Sequence, residues 1–368
     1  MTDAPDLSFD PSVDLSFLDA PGLLAAFVEE NRPRAHGAGL DPYDYTRVTT
    51  PLASLHEWPA AFRAAGQRYT GIAERAEASG LTVTAGEAYR TAARWFHFAG
   101  LLPHPDREAA AHAATEADEA MRRALAHLDP GAERVEGEGF AGWLRRPAAG
   151  TGRGDAAPVV LVVPGMDSCK EEFHAVTEAL LARGLAVLAL DGPGQGVLAA
   201  TSTPEPDYHR VVGRAIDALA DRAGLDLDRI AVIGLSLGGY YAATAAAHEP
   251  RVRAAALVSG PYRLDWDGLV PFVTATLAQR CGGLDSARAF ARRVDLTDLA
   301  RALTVPLLVV EGGEDVIPGF TNATPLAAEV PAAELLLVPH GNHLLGTALP
   351  DWLPTTADWV ATHLTAPR

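Results

Sequence analysis

The segment Gly234-Leu235-Ser236-Leu237-Gly238-Gly239 constrains this chain more than any other. The run Arg229-Ile230-Ala231-Val232-Ile233 before it reads as a buried strand, and Leu237 to His248 after it reads as a helix. A serine at such a junction sits on a tight, strained turn, and only small neighbours let the backbone close around it. Gly234 and Gly238 supply that room. The turn lifts the Ser236 hydroxyl off the sheet and aims the next amide, Leu237 N–H, into the same space, where a helix N-terminus favours negative charge. A Gly-x-Ser-x-Gly string alone arises by chance; the strand before it and the helix after it give it weight.

The remainder of the second half has the same grain. After Asp129-Pro130-Gly131, residues Val135 to Arg146 read as a strand pair and Ala148 to Ala157 as a Gly/Ala linker or hairpin tip. Short apolar runs (Pro158 to Pro164, Ala186 to Leu190, Val252 to Ser259, Pro306 to Glu311, Leu335 to Val338) then alternate with helical stretches, the pattern of parallel strands covered on both faces by crossover helices. A mostly helical insertion interrupts this at about 260–304. The first 130 residues differ: apolar residues recur at three- and four-residue spacing, giving helices over Gly22 to Glu30, Trp58 to Ser79, Ala85 to Leu102 and Asp106 to His127, with breaks at Asn31-Arg32-Pro33, Ser79-Gly80 and Pro103. We therefore expect an all-helical unit over 1–130 and an α/β unit over 131–368.

A nucleophilic serine on this turn requires an acid and then a histidine on loops after later strands. Strand Pro306 to Val310 ends in Glu311-Gly312-Gly313-Glu314-Asp315, which makes Asp315 the candidate acid, with Glu314, Asp265 and Asp267 as rivals. Strand Leu335 to Val338 leads into Pro339-His340-Gly341-Asn342-His343, which makes His343 the candidate base and His340 its rival. The second oxyanion donor belongs on the loop after the first central strand, Val163-Pro164-Gly165-Met166-Asp167-Ser168, where Met166 N–H is the candidate beside Leu237 N–H. Lys170, Glu171 and Glu172 read as the capping end of the next helix, and Asp191-Gly192-Pro193-Gly194-Gln195-Gly196 as a turn.

Taken together, Pro164 to Glu172, Asp191 to Gly196 and Gly234 to Gly239 resemble one branch of the α/β-hydrolase fold, the 2,6-dihydroxypseudooxynicotine hydrolase family, which also includes fungal hydrolases that shorten polyketide chains. The resemblance extends to Ala85-Gly86-Glu87-Ala88-Tyr89 and Trp95-Phe96-His97-Phe98-Ala99 in the helical half. It implies a mostly parallel central sheet flanked by helices, a helical domain roofing the active site, a helical lid insertion, and cleavage of a carbon–carbon bond next to a ketone. It also implies Ser236 as nucleophile, Asp315 as acid and His343 as base, with further carboxylate chemistry near Tyr262 to Asp267. Asp265, Trp266, Asp267, Tyr89, Trp95 and His97 are accordingly candidate substrate contacts. For the aromatic residues, among them Trp58, Tyr69, Phe96, Phe98, Tyr262 and Phe272, core packing is the competing reading.

Composition narrows the partners. A net charge of −17 argues against nucleic acid and anionic membrane, both of which draw affinity from clustered Lys and Arg. Two cysteines, Cys169 and Cys281, are too few for a disulfide framework and fit a reducing cytoplasm. The acidic stretch Met1 to Asp14 lacks the basic and apolar regions of a signal peptide, and no apolar run is long enough to span a bilayer. The expected partner is a small-molecule substrate, with no metal or cofactor implied and a homodimer as the default assembly. A carboxylesterase, thioesterase or acyl-transferring cyclase would use the same three residues. A ligand-binding protein on an inactive scaffold would lack one of them, and all three are present in the sequence.

Overall fold

The computed structural model describes residues 10–103, 107–148 and 156–365; the first residues of the acidic start, Asp106 and the heart of the Ala148 to Ala157 linker lie outside them. Three- and four-residue apolar spacing produces, among the described residues of the first part of the chain, five α-helices: α1 (Leu23–Gly37), α2 (Pro42–Thr49), α3 (Trp58–Ala78), α4 (Thr82–Ala99) and α5 (Arg107–Leu128). Asp41 caps α2 by accepting from the Tyr43 and Asp44 amides, and Pro42 occupies the first turn, where its missing N–H costs nothing. Trp58 stacks on Phe62 with ring centroids 3.9 Å apart, and Tyr45, Trp95 and Phe98 complete that core. Tyr89, Phe96 and Met121 form a second core that reaches Trp143 in the sheet.

One expected break is absent. α1 runs on through Asn31-Arg32-Pro33 to Gly37 with Pro33 inside it. A proline here forfeits one helical hydrogen bond, but the turn beyond it is anchored: Ala35 is fully buried, and Arg34 is held by carboxylates more than 130 residues away. Tertiary contacts outweigh the local signal.

The apolar runs of the second half lie in one sheet because both of their faces are covered. Val159, Leu161 and Val163 enter one core while Val160 and Val162 enter the other, and all are buried. Among the described residues the ten strands are β1 (Glu133–Gly137), β2 (Phe140–Arg145), β3 (Ala157–Val163), β4 (Ala186–Asp191), β5 (Leu225–Leu235), β6 (Val252–Val258), β7 (Pro261–Leu264), β8 (Leu307–Gly312), β9 (Phe320–Asn322) and β10 (Ala333–Val338). Eight form the main sheet in the order β1-β2-β4-β3-β5-β6-β8-β10. β1 and β2 pair antiparallel, β2 joins β4 antiparallel, and the remaining pairs are parallel.

Helices α6 (His174–Leu181) and α12 (Leu349–Thr365) cover one face through Val176, Leu180, Trp352 and Val360. α7 (His209–Asp217) and α8 (Leu237–His248) cover the other through Val211, Ile216 and Tyr241. The segment expected as a mostly helical insertion opens instead with β7, which pairs antiparallel with β9, before α9 (Pro271–Cys281) and α10 (Leu284–Arg293). A short α11 (Thr324–Glu329) follows β9. α7 stops at Asp217 because the Leu219 and Ala220 amides bond three residues back, tightening the chain toward Gly224 at φ 77° and the start of β5. Among the described residues no helix is long and apolar enough to cross a membrane.

Trp95 is fully buried against Phe62, with ring centroids 5.2 Å apart. Trp95→Ala is expected to lower unfolding free energy by about 3–5 kcal/mol, and Trp95→Phe by much less. Urea unfolding followed by circular dichroism measures both.

Candidate active site

Ser236 stands at the end of β5 with φ 56° and ψ −128°, a conformation L-residues avoid and the surroundings enforce. Its N–H donates to Val258 O at 2.8 Å, tying the turn to the end of β6. The turn closes only because position 234 lacks a side chain: a Cβ there would run into the Gly238 carbonyl. The expected strand–turn–helix is thus present, with Ser236 partly exposed between buried neighbours.

Two later strands bring the other groups. Beyond β8 the Asp315 amide donates to Gly312 O at 3.2 Å, and the Asp315 side chain is 1% exposed. Beyond β10 the chain carries His343 inward through a kink with Leu344 at φ 63° and Leu345 at φ 50°. The kink is pinned by the buried Ser259, whose Oγ accepts from the Leu344 amide at 3.0 Å. His343 Nδ1 lies 2.9 Å from Asp315 Oδ2, and Nε2 lies 3.0 Å from Ser236 Oγ. A carboxylate only accepts, so Nδ1 carries the hydrogen and Nε2 is free to accept from the serine hydroxyl. Phe320 sets its ring at 86° to the imidazole with centroids 5.7 Å apart. Of the rivals, Glu314 is exposed and His340 lies at the surface, 3.4 Å from Asp351.

Behind Asp315 sits a second carboxyl that the sequence reading did not single out. Glu311 is fully buried at the end of β8 and accepts from the Ala323 amide at 3.1 Å, while its Oε2 has no partner. Burial, reinforced by Asp315 and only partly offset by the Ala323 N–H, pushes its pKa up to about 9. It is therefore a neutral acid at physiological pH.

The loop after β3 reaches the serine from the other side. A Cβ at Gly165 would come within 2.9 Å of Ser236 Cβ, so the loop approaches this closely only with glycine there. Neither the Met166 nor the Leu237 N–H meets a protein acceptor among the described residues. Gln195, in the turn after β4, donates to Pro164 O at 2.6 Å and Gly165 O at 3.1 Å.

Lys170, Glu171 and Glu172 do not cap a helix; α6 starts later, at His174, and all three side chains are buried. Lys170 Nζ lies 2.7 Å from Asp191 Oδ2, 2.8 Å from Glu171 Oε1 and 2.9 Å from Asp118 Oδ1. Burial alone would lower the ammonium pKa, but Asp191, Glu171 and Asp118 outweigh it and raise it. Glu172 accepts from Arg34 Nε at 2.6 Å and lies 2.8 Å from His97 Nε2. Burial pushes its carboxyl up; Arg34 and His97 prevail and hold it well below the usual carboxylate range. Arg34 also bonds both oxygens of Asp167, at 3.0 and 3.2 Å. These buried charges have opposite partners, which a capping motif at a helix surface would not need.

A narrow, solvent-connected cleft opens beside this junction, lined by Phe96, His97, Asp167, Ser168, Cys169 and alanines of α5. Of the expected substrate contacts, His97 reaches the cleft. Tyr89 and Trp95 do not: both are fully buried among α3, α4 and α5, and Tyr89 donates to Glu77 at 3.0 Å. Helical spacing turns them toward neighbouring helices, so the core reading holds for these two. Asp265 and Asp267 are exposed, and Trp266 is half-buried under Arg288. The described residues contain no group of three His, Cys, Asp or Glu side chains suited to a metal ion.

A mostly parallel sheet with a serine on the turn between its fifth strand and the next helix defines an α/β-hydrolase fold, and residues 158–306 match the family described by that fold. The chain belongs to the α/β-hydrolase family of 2,6-dihydropseudooxynicotine hydrolase from Paenarthrobacter nicotinovorans, with which it is 30% identical over 313 residues, 80% of this chain and 83% of that protein. The crystal structure of 2,6-dihydroxy-pseudo-oxynicotine hydrolase superposes with a TM-score of 0.79 at 27% identity, over 90% of this chain and 95% of that one. A fungal relative, hydrolase acrC of Aspergillus aculeatus, is 33% identical over 240 residues, 58% of this chain and 55% of the fungal protein, so the match spans about half of that relative.

Glu311 gives the site a pH signature. Its pKa is raised on folding from 4.5 to about 9, so the native state holds a proton that the unfolded chain releases. The stability it contributes is complete below about 4.5 and declines as pH rises toward about 9. Glu311→Gln is expected to flatten the fall of melting temperature across that window, read by thermal melts at pH 5, 7 and 9.

Proposed function

We propose that this chain is a serine hydrolase acting through Ser236, His343 and Asp315, and that it cleaves a carbon–carbon bond next to a ketone in an aromatic or polyketide-like compound. The observation that carries this reading is the pair of contacts His343 Nε2 to Ser236 Oγ, 3.0 Å, and Nδ1 to Asp315 Oδ2, 2.9 Å, beside two unengaged amides. Likeness over most of the chain to 2,6-dihydropseudooxynicotine hydrolase supports the choice of bond. The same reading divides the chain near residue 130 into a helical cap and a catalytic unit, with the segment at about 260–304 as lid.

His343 Nε2 takes the hydroxyl proton as Ser236 Oγ bonds to the ketone carbon, while Asp315 stabilises the imidazolium. The oxygen becomes an oxyanion held by the Met166 and Leu237 amides, each worth about 2.7–4 kcal/mol in such a site. When the carbonyl re-forms, the bond to the neighbouring carbon breaks and its electrons leave with that carbon, which takes the proton from His343. Such a leaving group needs an adjacent carbonyl or electron-rich ring to accept the charge. Water, deprotonated by His343, then attacks the acyl-serine, releasing a carboxylic acid and free Ser236. An ester follows the same course with an alkoxide as the expelled group.

Ser236→Ala is expected to lower kcat by at least about 10⁴-fold with an unchanged circular-dichroism spectrum. Near-normal turnover by the purified variant would overturn the assignment. With the intact protein, an acylphenol and β-diketone panel is expected to outperform short aliphatic esters, read by mass spectrometry of the products; turnover of the esters alone would remove the carbon–carbon reading and leave an esterase.

A further inference from the structure

We infer that the Gly165–Met166 peptide is aimed by two side chains outside the catalytic set, Gln195 and Arg34, which act as positioning residues for the oxyanion site. The inference rests on the reading of Met166 N–H as an oxyanion donor.

In a trans peptide the carbonyl and the following N–H point in opposite directions across one rigid plane. Fixing the Gly165 carbonyl therefore fixes the direction of the Met166 N–H. Gln195 is 2% exposed and donates from Nε2 to Pro164 O at 2.6 Å and Gly165 O at 3.1 Å. Its Oε1 accepts from the Gly192 amide and from Tyr208 Oη, each at 2.8 Å. A backbone N–H can only donate, so the amide has one orientation and cannot flip to present oxygen to the two carbonyls. Tyr208 is fully buried, so the clamp is itself held from behind.

The opposite end of the loop is gripped by the helical half of the chain. Arg34 of α1 spans both oxygens of Asp167, the residue after Met166, and donates to Ser168 Oγ at 3.0 Å. The same guanidinium bonds both oxygens of Glu172, at 2.6 and 2.9 Å. His97 of α4 closes the network, with Nε2 2.8 Å from Glu172 and Nδ1 3.1 Å from Cys169 Sγ. The planar fork of arginine matches two carboxylates at once; a lysine supplies charge without that geometry. The peptide is held on one side by Gln195 and on the other through Asp167, and its N–H is left for a ligand.

A displaced oxyanion donor costs transition-state stabilisation and leaves ground-state binding almost untouched. Gln195→Met keeps the volume and removes both donors and the acceptor; kcat is expected to fall on the order of 100-fold with KM within about twofold. The affinity for phenylboronic acid, whose tetrahedral serine adduct places an oxygen in the same site, is expected to fall in parallel with kcat/KM. Arg34→Lys, the milder variant, is expected to move the same quantities in the same direction, and more than Arg32→Lys, whose side chain bonds Glu29 and Thr46 instead.

Wild-type kcat and boronate affinity in Gln195→Met or, should that variant not fold, in Arg34→Lys would overturn the inference. A lower melting temperature with unchanged kcat, or a lost kcat with unchanged boronate affinity, would do so as well, since a purely structural tie predicts the first and damage elsewhere the second. Failure of the parent reading is separately visible: turnover by Ser236→Ala removes the serine mechanism whatever Gln195 and Arg34 do.

Discussion

Covering both faces of the sheet is the constraint from which the site follows. With Val159 to Val163 and their neighbours buried on either side, the helices must lie on the faces, and the loops are left at the strand ends. Parallel strands then deliver Ser236, Asp315 and His343, which are far apart in sequence, to one edge. No local propensity makes a serine adopt φ 56° or two leucines in succession adopt positive φ. The packing of β5 on β6, β6 on β8 and β8 on β10 over-determines the backbone at those points, which is how the strain is tolerated.

A second constraint is the burial of charge where the helical half meets the loop after β3. Lys170, Asp191, Glu171 and Asp118 form one cluster; Arg34, Asp167, Glu172 and His97 form another. Removing one member strands its partner in a low dielectric, which costs far more than a surface ion pair contributes. The helical half is thereby committed to one placement on the loop after β3, and the cleft lined by Phe96, His97 and Cys169 inherits its shape from that commitment.

Much of this was legible in the sequence, and the remainder was hidden for identifiable reasons. The alternation of apolar runs and helical stretches gave the sheet, and the order of serine, acid and histidine gave the three residues now found within hydrogen-bonding reach of one another. Arg34 escaped because Pro33 beside it reads as a helix stop and its partners lie 133 and 138 residues away, a distance no spacing rule covers. Lys170 to Glu172 look like a cap in sequence because acids near a helix start usually are one; burial is invisible in a single sequence. Glu311 did leave a trace, a carboxylate ending the apolar run Leu307 to Val310. Tyr89 and Trp95 sit on a helix whose residues from Ala92 to Ala99 are all buried, so their type alone could not distinguish core from pocket.

The backbone at Ser236 has a consequence for how such a chain can change over generations. A non-glycine residue held in this conformation costs about 1–3 kcal/mol, and glycine would relieve it. Folding energy and the proposed chemistry thus pull in opposite directions at this position: one substitution would relieve the backbone and remove the hydroxyl that the proposed reaction needs.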